Sequence, residues 1–218
     1  MADTGLSIPG IFLTMTVLSL VPLFVVTMTG FLKISVVLFL IRNALGVQQT
    51  PPNMVLYGIA LILTVFVTSP LLGGIYARLT AHPIDFGSVE SITAAANEVK
   101  EPVRAELLRF AHLEERQFFM AATERVWLPE ARASLKDDDM VILLPAYVSS
   151  ELTRAFEIGF LLYLPFLVID IVVSNVLMAM GMIMVSPTLI SVPLKVFLFV
   201  AVSGWSRLMH GLILSYGS

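Results

Sequence analysis

Three uncharged stretches limit what this 218-residue chain can fold into. No Asp, Glu, Lys or Arg occurs from Thr4 to Leu32, from Asn43 to Ala77, or from Ile171 to Leu194. Each stretch is longer than the about 20 residues that a helix needs to cross a lipid bilayer. Charged residues make up 13% of the chain, against about 25% in a typical soluble domain. The chain is therefore predicted to be an integral membrane protein.

The remaining charge is concentrated in one segment. Residues 82–140 carry 12 of the 16 acidic residues but only 7 of the 13 basic ones. Charge pairs three residues apart, such as Glu101 with Arg104, alternate there with apolar positions, which is typical of amphipathic helices. Composition thus divides the chain into an N-terminal hydrophobic hairpin (1–80), a charged insert (81–144) and a C-terminal hydrophobic hairpin (145–218).

The predicted fold class is all-α. Backbone groups in lipid must be satisfied within their own segment, which favours helices, and the apolar stretches lack the alternation of a membrane barrel. Two proline-containing segments, 42–53 and 185–193, are predicted to be the turns of the two hairpins, because proline removes a backbone donor and ends a helix. The helices expected on either side cover 11–41 and 54–76 in the first hairpin, and 159–184 and 194–214 in the second.

The predicted orientation depends on basic residues near the spans. Arg42 lies in the short first turn and favours a cytoplasmic position for it, which places the N-terminus and the insert outside. The N-terminus lacks the positively charged region of a secretory signal, so we expect the first apolar segment to be retained.

The residue types that most often carry catalysis are scattered or missing in this sequence. The chain has no cysteine, and His82, His112 and His210 lack the spacing of metal ligands. No metalloprotease, nucleophile-elbow or phosphate-loop motif is present, and no basic cluster suggests nucleic acid. We predict that the chain is not an enzyme and uses no cofactor or metal.

Isolated charges inside apolar segments are the first unusual feature. A charge in lipid costs about 2.5–3.5 kcal/mol on insertion scales, so it must face protein, water or the membrane boundary. If the second hairpin turns at 188–189, Asp170 and Arg207 lie at the same depth and could pair, within or between subunits. Arg207 and Lys195 could instead extend to an interface. The predicted buried charges or subunit contacts are Lys33, Glu151, Arg154, Glu157, Asp170, Lys195 and Arg207.

Methionines at every second position are the second unusual feature. Met178, Met180, Met182 and Met184 cannot share one face of a helix, but they could do so in a loop. Methionine is flexible and polarizable, and suits a surface that must reseal around varied partners. Such segments could form a soft gasket in a pore, or the methionines could simply fill a core.

Several long motifs resemble signatures of the FliP/SctR family, the core export-apparatus proteins of bacterial flagella and type III secretion systems. The first signature is similar to residues 145–160, PAYVSSELTRAFEIGF, and the second to residues 165–182, from PFLVID to LMAMGM. The segments LGVQQTPPN (45–53) and 185–205 also match. The missing signal and Ser203 before Gly204-Trp205, where flagellar members often have Asp, favour the secretion (injectisome) branch.

The resemblance implies a function that could not be inferred from the residue types alone. Family members form a helical export gate at the bacterial inner membrane from several copies, here expected as a pentamer, through which unfolded secreted chains pass. Implied partners are small SctS/FliQ-type and SctT/FliR-type proteins, together with SctU/FlhB-type and SctV/FlhA-type proteins. The family's pore-sealing loop matches Met182, Ile183 and Met184, with Met180 beside it, and the insert would face the periplasm. The hairpins would then be buried against each other as much as against lipid.

The alternative function is a small ion- or proton-coupled solute transporter or channel. Asp170, Lys195 and Glu157 would form its charged pathway. Transporters often show inverted repeats, and none is apparent in this sequence.

Overall fold

A computed structural model describes residues 8–81 and 89–217 of the chain. Helices and the turns between them account for these residues, with no strand among them, which confirms the all-α prediction for this part of the chain. The helices are α1 (Ile8–Met28), α2 (Phe31–Ala44), α3 (Asn53–Ala81), α4 (Val89–Phe110), α5 (Leu113–Val126), α6 (Pro129–Arg132), α7 (Met140–Ala179), α8 (Thr188–Ala201) and α9 (Gly204–Leu214).

The described part of the first hydrophobic arm, from residue 8 onward, contains three helices. The apolar run predicted as one helix over 11–41 is interrupted at Thr29 and Gly30, so that α1 and α2 are separate elements. The turn predicted at 42–53 is confirmed, because α2 ends at Ala44 and α3 begins at Asn53. Gly46 has a φ of 72°, a conformation that glycine adopts without steric cost at the end of a helix.

The second arm differs from the prediction at both of its ends. One 40-residue helix, α7, begins well before the span predicted at 159–184 and ends five residues before the end of that span. The turn lies at 180–187 rather than 185–193, and Pro193 lies inside α8. The glycine at 181, with a φ of 73°, ends α7 before the prolines are reached.

The predicted last span, 194–214, is also divided. Ser203 adopts a left-handed backbone conformation (φ 54°), which separates α8 from α9 and leaves their axes 63° apart. Non-glycine residues rarely adopt this conformation, so the serine itself is a weak sequence signal for a break. The neighbouring Gly204 lies so close to the Phe199 ring that a Cβ there would clash with it.

Two helices, α3 and α7, are long and apolar enough to span a membrane. The count rises to four if α1 with α2, and α8 with α9, each make one broken span. By length and composition the chain is therefore a helical membrane protein with two to four candidate spans among its described residues.

The chain forms two compact units. The first consists of Met1–Leu32 and Thr68–Glu151, and the second of Lys33–Val67 and Leu152–Ser218. In the first unit, Leu107 and Phe110 of α4 are buried, as are Leu143 and Tyr147 of α7. The buried residues of the second unit come from five helices and include Ile34, Leu38, Ile41, Leu56, Ala60, Phe166, Phe199 and Leu212.

Charge pairs hold the insert within the first unit. Arg104 donates to both carboxylate oxygens of Glu101 at 2.7 Å, as the three-residue spacing predicts, and its other terminal nitrogen lies 3.3 Å from Asp138. The Glu101 hydrogen bond raises the pKa of Arg104 above its ordinary value. Arg116 similarly lies 3.3 Å from Asp137. These contacts connect α4 and α5 to the segment that precedes α7.

Candidate functional site

The end of α7 has a defined hydrogen-bonding pattern. The Met182 N–H donates to the carbonyl of Leu177 and the Gly181 N–H to that of Met178, each at 3.0 Å. These two bonds around a left-handed glycine are the Schellman motif, which satisfies carbonyls that a helix end would otherwise leave unpaired. The left-handed conformation of Gly181 and these two hydrogen bonds therefore end α7 at this point.

The segment 180–187, which we call the methionine loop, is largely exposed. Met184 is fully exposed, Ile183 is 85% exposed and Met180 is 67% exposed, whereas Met182 is 41% exposed. Internal bonds are few: the Val185 N–H donates to the Met182 carbonyl at 3.3 Å, and the Ser186 and Thr188 hydroxyls lie 2.7 Å apart. The four residues predicted as gasket candidates thus lie on one accessible apolar turn, with side chains that can repack easily.

An ion pair between α7 and α8 lies in the same unit as the methionine loop. The Lys195 ammonium on α8 lies 2.5 Å from the Asp170 carboxylate on α7, and it donates to the Ala44 carbonyl at the end of α2 at 3.0 Å. Lys195 is 4% exposed, whereas the Asp170 side chain is 35% exposed. A cation is favourable at a helix C-terminus, where carbonyls point outward. One ammonium therefore connects three helices.

The predicted pair between Asp170 and Arg207 is not formed within the chain. The prediction assumed a turn at 188–189, but α7 ends at Ala179, and this earlier turn brings Lys195 to the depth of Asp170. The suggestion that Lys195 extends to a membrane interface is also wrong, since the side chain is buried. Arg207 is exposed on α9, and its guanidinium forms no ion pair or hydrogen bond with any residue that the structure describes.

A second buried lysine lies near the other end of α2. Lys33 is 1% exposed, and its ammonium lies 3.5 Å from the centroid of the Tyr216 ring, just beyond α9. A cation over an aromatic face is attracted by the ring quadrupole, and more strongly when both are desolvated. The sequence indicated Lys33 but did not indicate Tyr216, because contacts between distant segments leave no local signal.

The turn between α2 and α3 is closed by Arg42. The guanidinium donates to the Asn53 side-chain oxygen at 2.5 Å and to the Pro51 carbonyl at 3.2 Å. A Cβ on Gly46 would lie 2.8 Å from the Val192 side chain of α8, so this turn packs against the second hairpin of the same unit. Arg42, which the sequence indicated only as a topology signal, thus has a structural role.

The remaining predicted charges are spread along α7. Glu151 is fully buried in the first unit, while in the second unit Arg154 is half-buried and Glu157 is exposed. The His112 backbone N–H donates to the Ser150 hydroxyl at 2.8 Å, and His210 is exposed. His82 lies outside the described residues. Among the residues described, no three His, Asp or Glu side chains come together in a group that could hold a metal ion.

Comparison with known proteins places the chain in a defined group. A model of the FliP family matches residues 14–212. Over 199 residues the chain is 56% identical to the probable translocation protein y4yL of Sinorhizobium fredii, covering 91% of this chain and 90% of the relative. It is 47% identical over 207 residues to the Yop proteins translocation protein R of Yersinia pestis, covering 95% of each. It is 45% identical over 203 residues to the hypersensitivity response secretion protein HrcR of Ralstonia nicotianae, covering 91% and 93%.

Proposed function

This chain belongs to the FliP family, and from that membership we propose that it is a pore-forming subunit through which unfolded proteins cross the bacterial inner membrane. The chain is a component of the type III secretion export apparatus, a transport protein and not an enzyme. Its relatives are translocation and secretion proteins of injectisome type, so the prediction of that branch is confirmed.

The methionine loop is the proposed seal of the closed pore. The observation that carries this proposal is the exposure of Met184, Ile183 and Met180 on a turn with few internal bonds. Neighbouring exposed apolar side chains often mark an interaction site, and copies of the same loop in a ring would cover them. Thioether side chains can then separate around a passing polypeptide and close behind it.

Membership of the export apparatus implies gate partners. We propose several copies of this chain, as a pentamer, with SctS/FliQ-type and SctT/FliR-type proteins and with SctU/FlhB-type and SctV/FlhA-type proteins beside them. The charged insert would face the periplasm. The exposed charges Glu157 and Arg207, which form no ion pair within the described chain, are candidate subunit contacts.

Purification tests the assembly. Solubilised from a host that expresses the whole gate, the chain should co-purify with two small membrane proteins as one particle of fixed mass. A chain that instead purified alone and carried solute across liposomes would contradict the proposal and support the transporter alternative.

Replacement of the gasket residues tests the seal. The double substitution M182A/M184A should make the membrane of cells that carry the assembled gate leak small solutes, because alanine is too short to close the gap. Stability should change by less than about 0.5 kcal/mol, as expected of exposed positions. Met54, 85% exposed at the start of α3, provides the control: M54A should not leak. An intact permeability barrier in M182A/M184A would contradict the gasket role.

A further inference from the structure

Two observed contacts fix which residues of α7 and α8 lie at the same depth. The ring centroids of Phe166 and Phe199, both buried, lie 6.2 Å apart, and Asp170 pairs with Lys195. From the first contact to the second, the position on α7 advances by four residues and the position on α8 goes back by four. This is the pattern of two antiparallel helices, in which residues four apart lie on the same face. The facing sides of α7 and α8 therefore meet at four-residue steps.

The next step toward the methionine loop brings two serines to the same depth. Ser174 lies four residues after Asp170 on α7, and Ser191 lies four residues before Lys195 on α8. Ser191 is 1% exposed, and Ser174 is half-buried. Neither hydroxyl forms a hydrogen bond with the other or with any residue that the structure describes. A buried hydroxyl in that state has lost its hydrogen bonds to water and gained none in return, which destabilises the folded chain.

The Lys195 ammonium has an unused donor close to these serines. Of its three N–H groups, two have acceptors among the described residues, namely the carboxylate of the ion pair and the Ala44 carbonyl. Side chains of a helix lean toward its N-terminus, so the lysine extends toward the turn of α8 that contains Ser191. The packing of Gly46, two residues after Ala44, against Val192 supports this direction. The third N–H is therefore placed near the Ser191 hydroxyl.

We propose that α7 and α8 bind an ordered water molecule between them, which bridges the hydroxyls of Ser174 and Ser191 and accepts the third N–H of Lys195. A buried water typically makes about three hydrogen bonds to polar groups that the protein leaves unpaired, and this site offers three. Water can donate to both serine oxygens and accept from the ammonium, whereas a bound cation would be repelled by the lysine. The proposal is independent of whether the methionine loop seals a pore.

Alanine substitutions test the bridge through the sign and the additivity of their effects. S191A should lower the melting temperature of the purified full-length chain by about 2–4 °C, because the water loses one of its partners. S174A should have a similar effect. S174A/S191A should lower the melting temperature no further than either single substitution, since each one already breaks the bridge. S206A, at an exposed serine of α9, is the matched control and should leave the melting temperature unchanged.

A serine hydroxyl without bound water would respond differently. Removing an unsatisfied buried group relieves its desolvation cost, so a melting temperature that S191A raises or leaves unchanged would overturn the proposal. Additive losses in S174A/S191A would mean that the two hydroxyls have separate partners, which would also overturn it. A structure of the assembled gate at a resolution that shows ordered water gives the direct test. It should contain a water about 3 Å from both the Ser191 Oγ and the Lys195 Nζ, and a site without one would contradict the bridge.

Discussion

The two hairpin turns of the second unit are built alike but held differently. Gly46 and Gly181 have almost the same φ, 72° and 73°, and each follows the last turn of a helix. In each turn the glycine N–H bonds back to a carbonyl three residues earlier, at Asn43 and Met178 respectively. The same glycine conformation and the same three-residue bond therefore mark the end of both helices, although only the second turn adds the bond from Met182 to Leu177.

The surroundings of the two glycines differ. A Cβ on Gly46 would lie 2.8 Å from Val192, whereas nothing lies within 4 Å of the corresponding position on Gly181. Arg42 closes the first turn through Asn53, and the Lys195 ammonium holds the carbonyl of Ala44 beside it. Among the described residues, no hydrogen bond reaches the methionine loop from a helix other than α7 and α8. The first turn is thus held by contacts with other parts of the unit, while the methionine loop is exposed and can contact partners.

The largest effects are expected at the two residues that hold the first turn, Lys195 and Gly46, of which the lysine is the anchor. Replacing Lys195 by Met leaves the Asp170 carboxylate without its cation and the Ala44 carbonyl without its donor. Removing one member of a fully buried pair costs about 3–5 kcal/mol, and the partial exposure of Asp170 lowers our expectation to about 2–3 kcal/mol. The measurement is the thermal unfolding of the purified protein in detergent.

Two further variants serve as controls for K195M. K100M, at an exposed lysine of the insert, should change stability by less than about 0.5 kcal/mol. Adding D170N to K195M should recover part of the loss, because the uncompensated charge disappears. Equal melting temperatures for K195M and K100M would show that the first turn does not depend on this anchor.

The two glycines provide the most direct contrast. G46A should cost about 2–4 kcal/mol, since it combines an unfavourable left-handed alanine with a clash against Val192. G181A should cost only about 1–2 kcal/mol, because the backbone term acts alone. The same unfolding measurement compares them. If G46A and G181A lower the free energy of unfolding equally, the closer packing around Gly46 does not contribute to stability.

Arg42 is expected to have the smallest effect of the three. R42A removes hydrogen bonds to Asn53 and Pro51 from a partly exposed site, which should cost about 1 kcal/mol. Amide hydrogen exchange should also become faster in the turn 45–52 while it stays unchanged in the methionine loop. R78A is the matched exposed control. Faster exchange in both turns would mean that the two are coupled rather than distinct.

Much of the helical architecture could be predicted from composition. The long apolar segments, the proline-containing first turn and the Glu101–Arg104 pair all follow from local patterns, because these depend on residues close in sequence. The sequence predicts the second turn too late, because its two prolines are the more obvious stop signal, although Gly181 is the residue that ends the helix. The break at Ser203 had only a weak signal, because serine rarely adopts a left-handed conformation.

The sequence by itself determined that this is a helical membrane protein of the FliP family, with a methionine-containing segment near the end of a long apolar helix. Hydrophobicity and family motifs are properties of the residues alone. Only the tertiary structure decided that Lys195 rather than Arg207 pairs with Asp170, and that the first turn is anchored while the second is exposed. These outcomes depend on where each helix stops, since a shift of a few residues changes which side chains lie at the same depth.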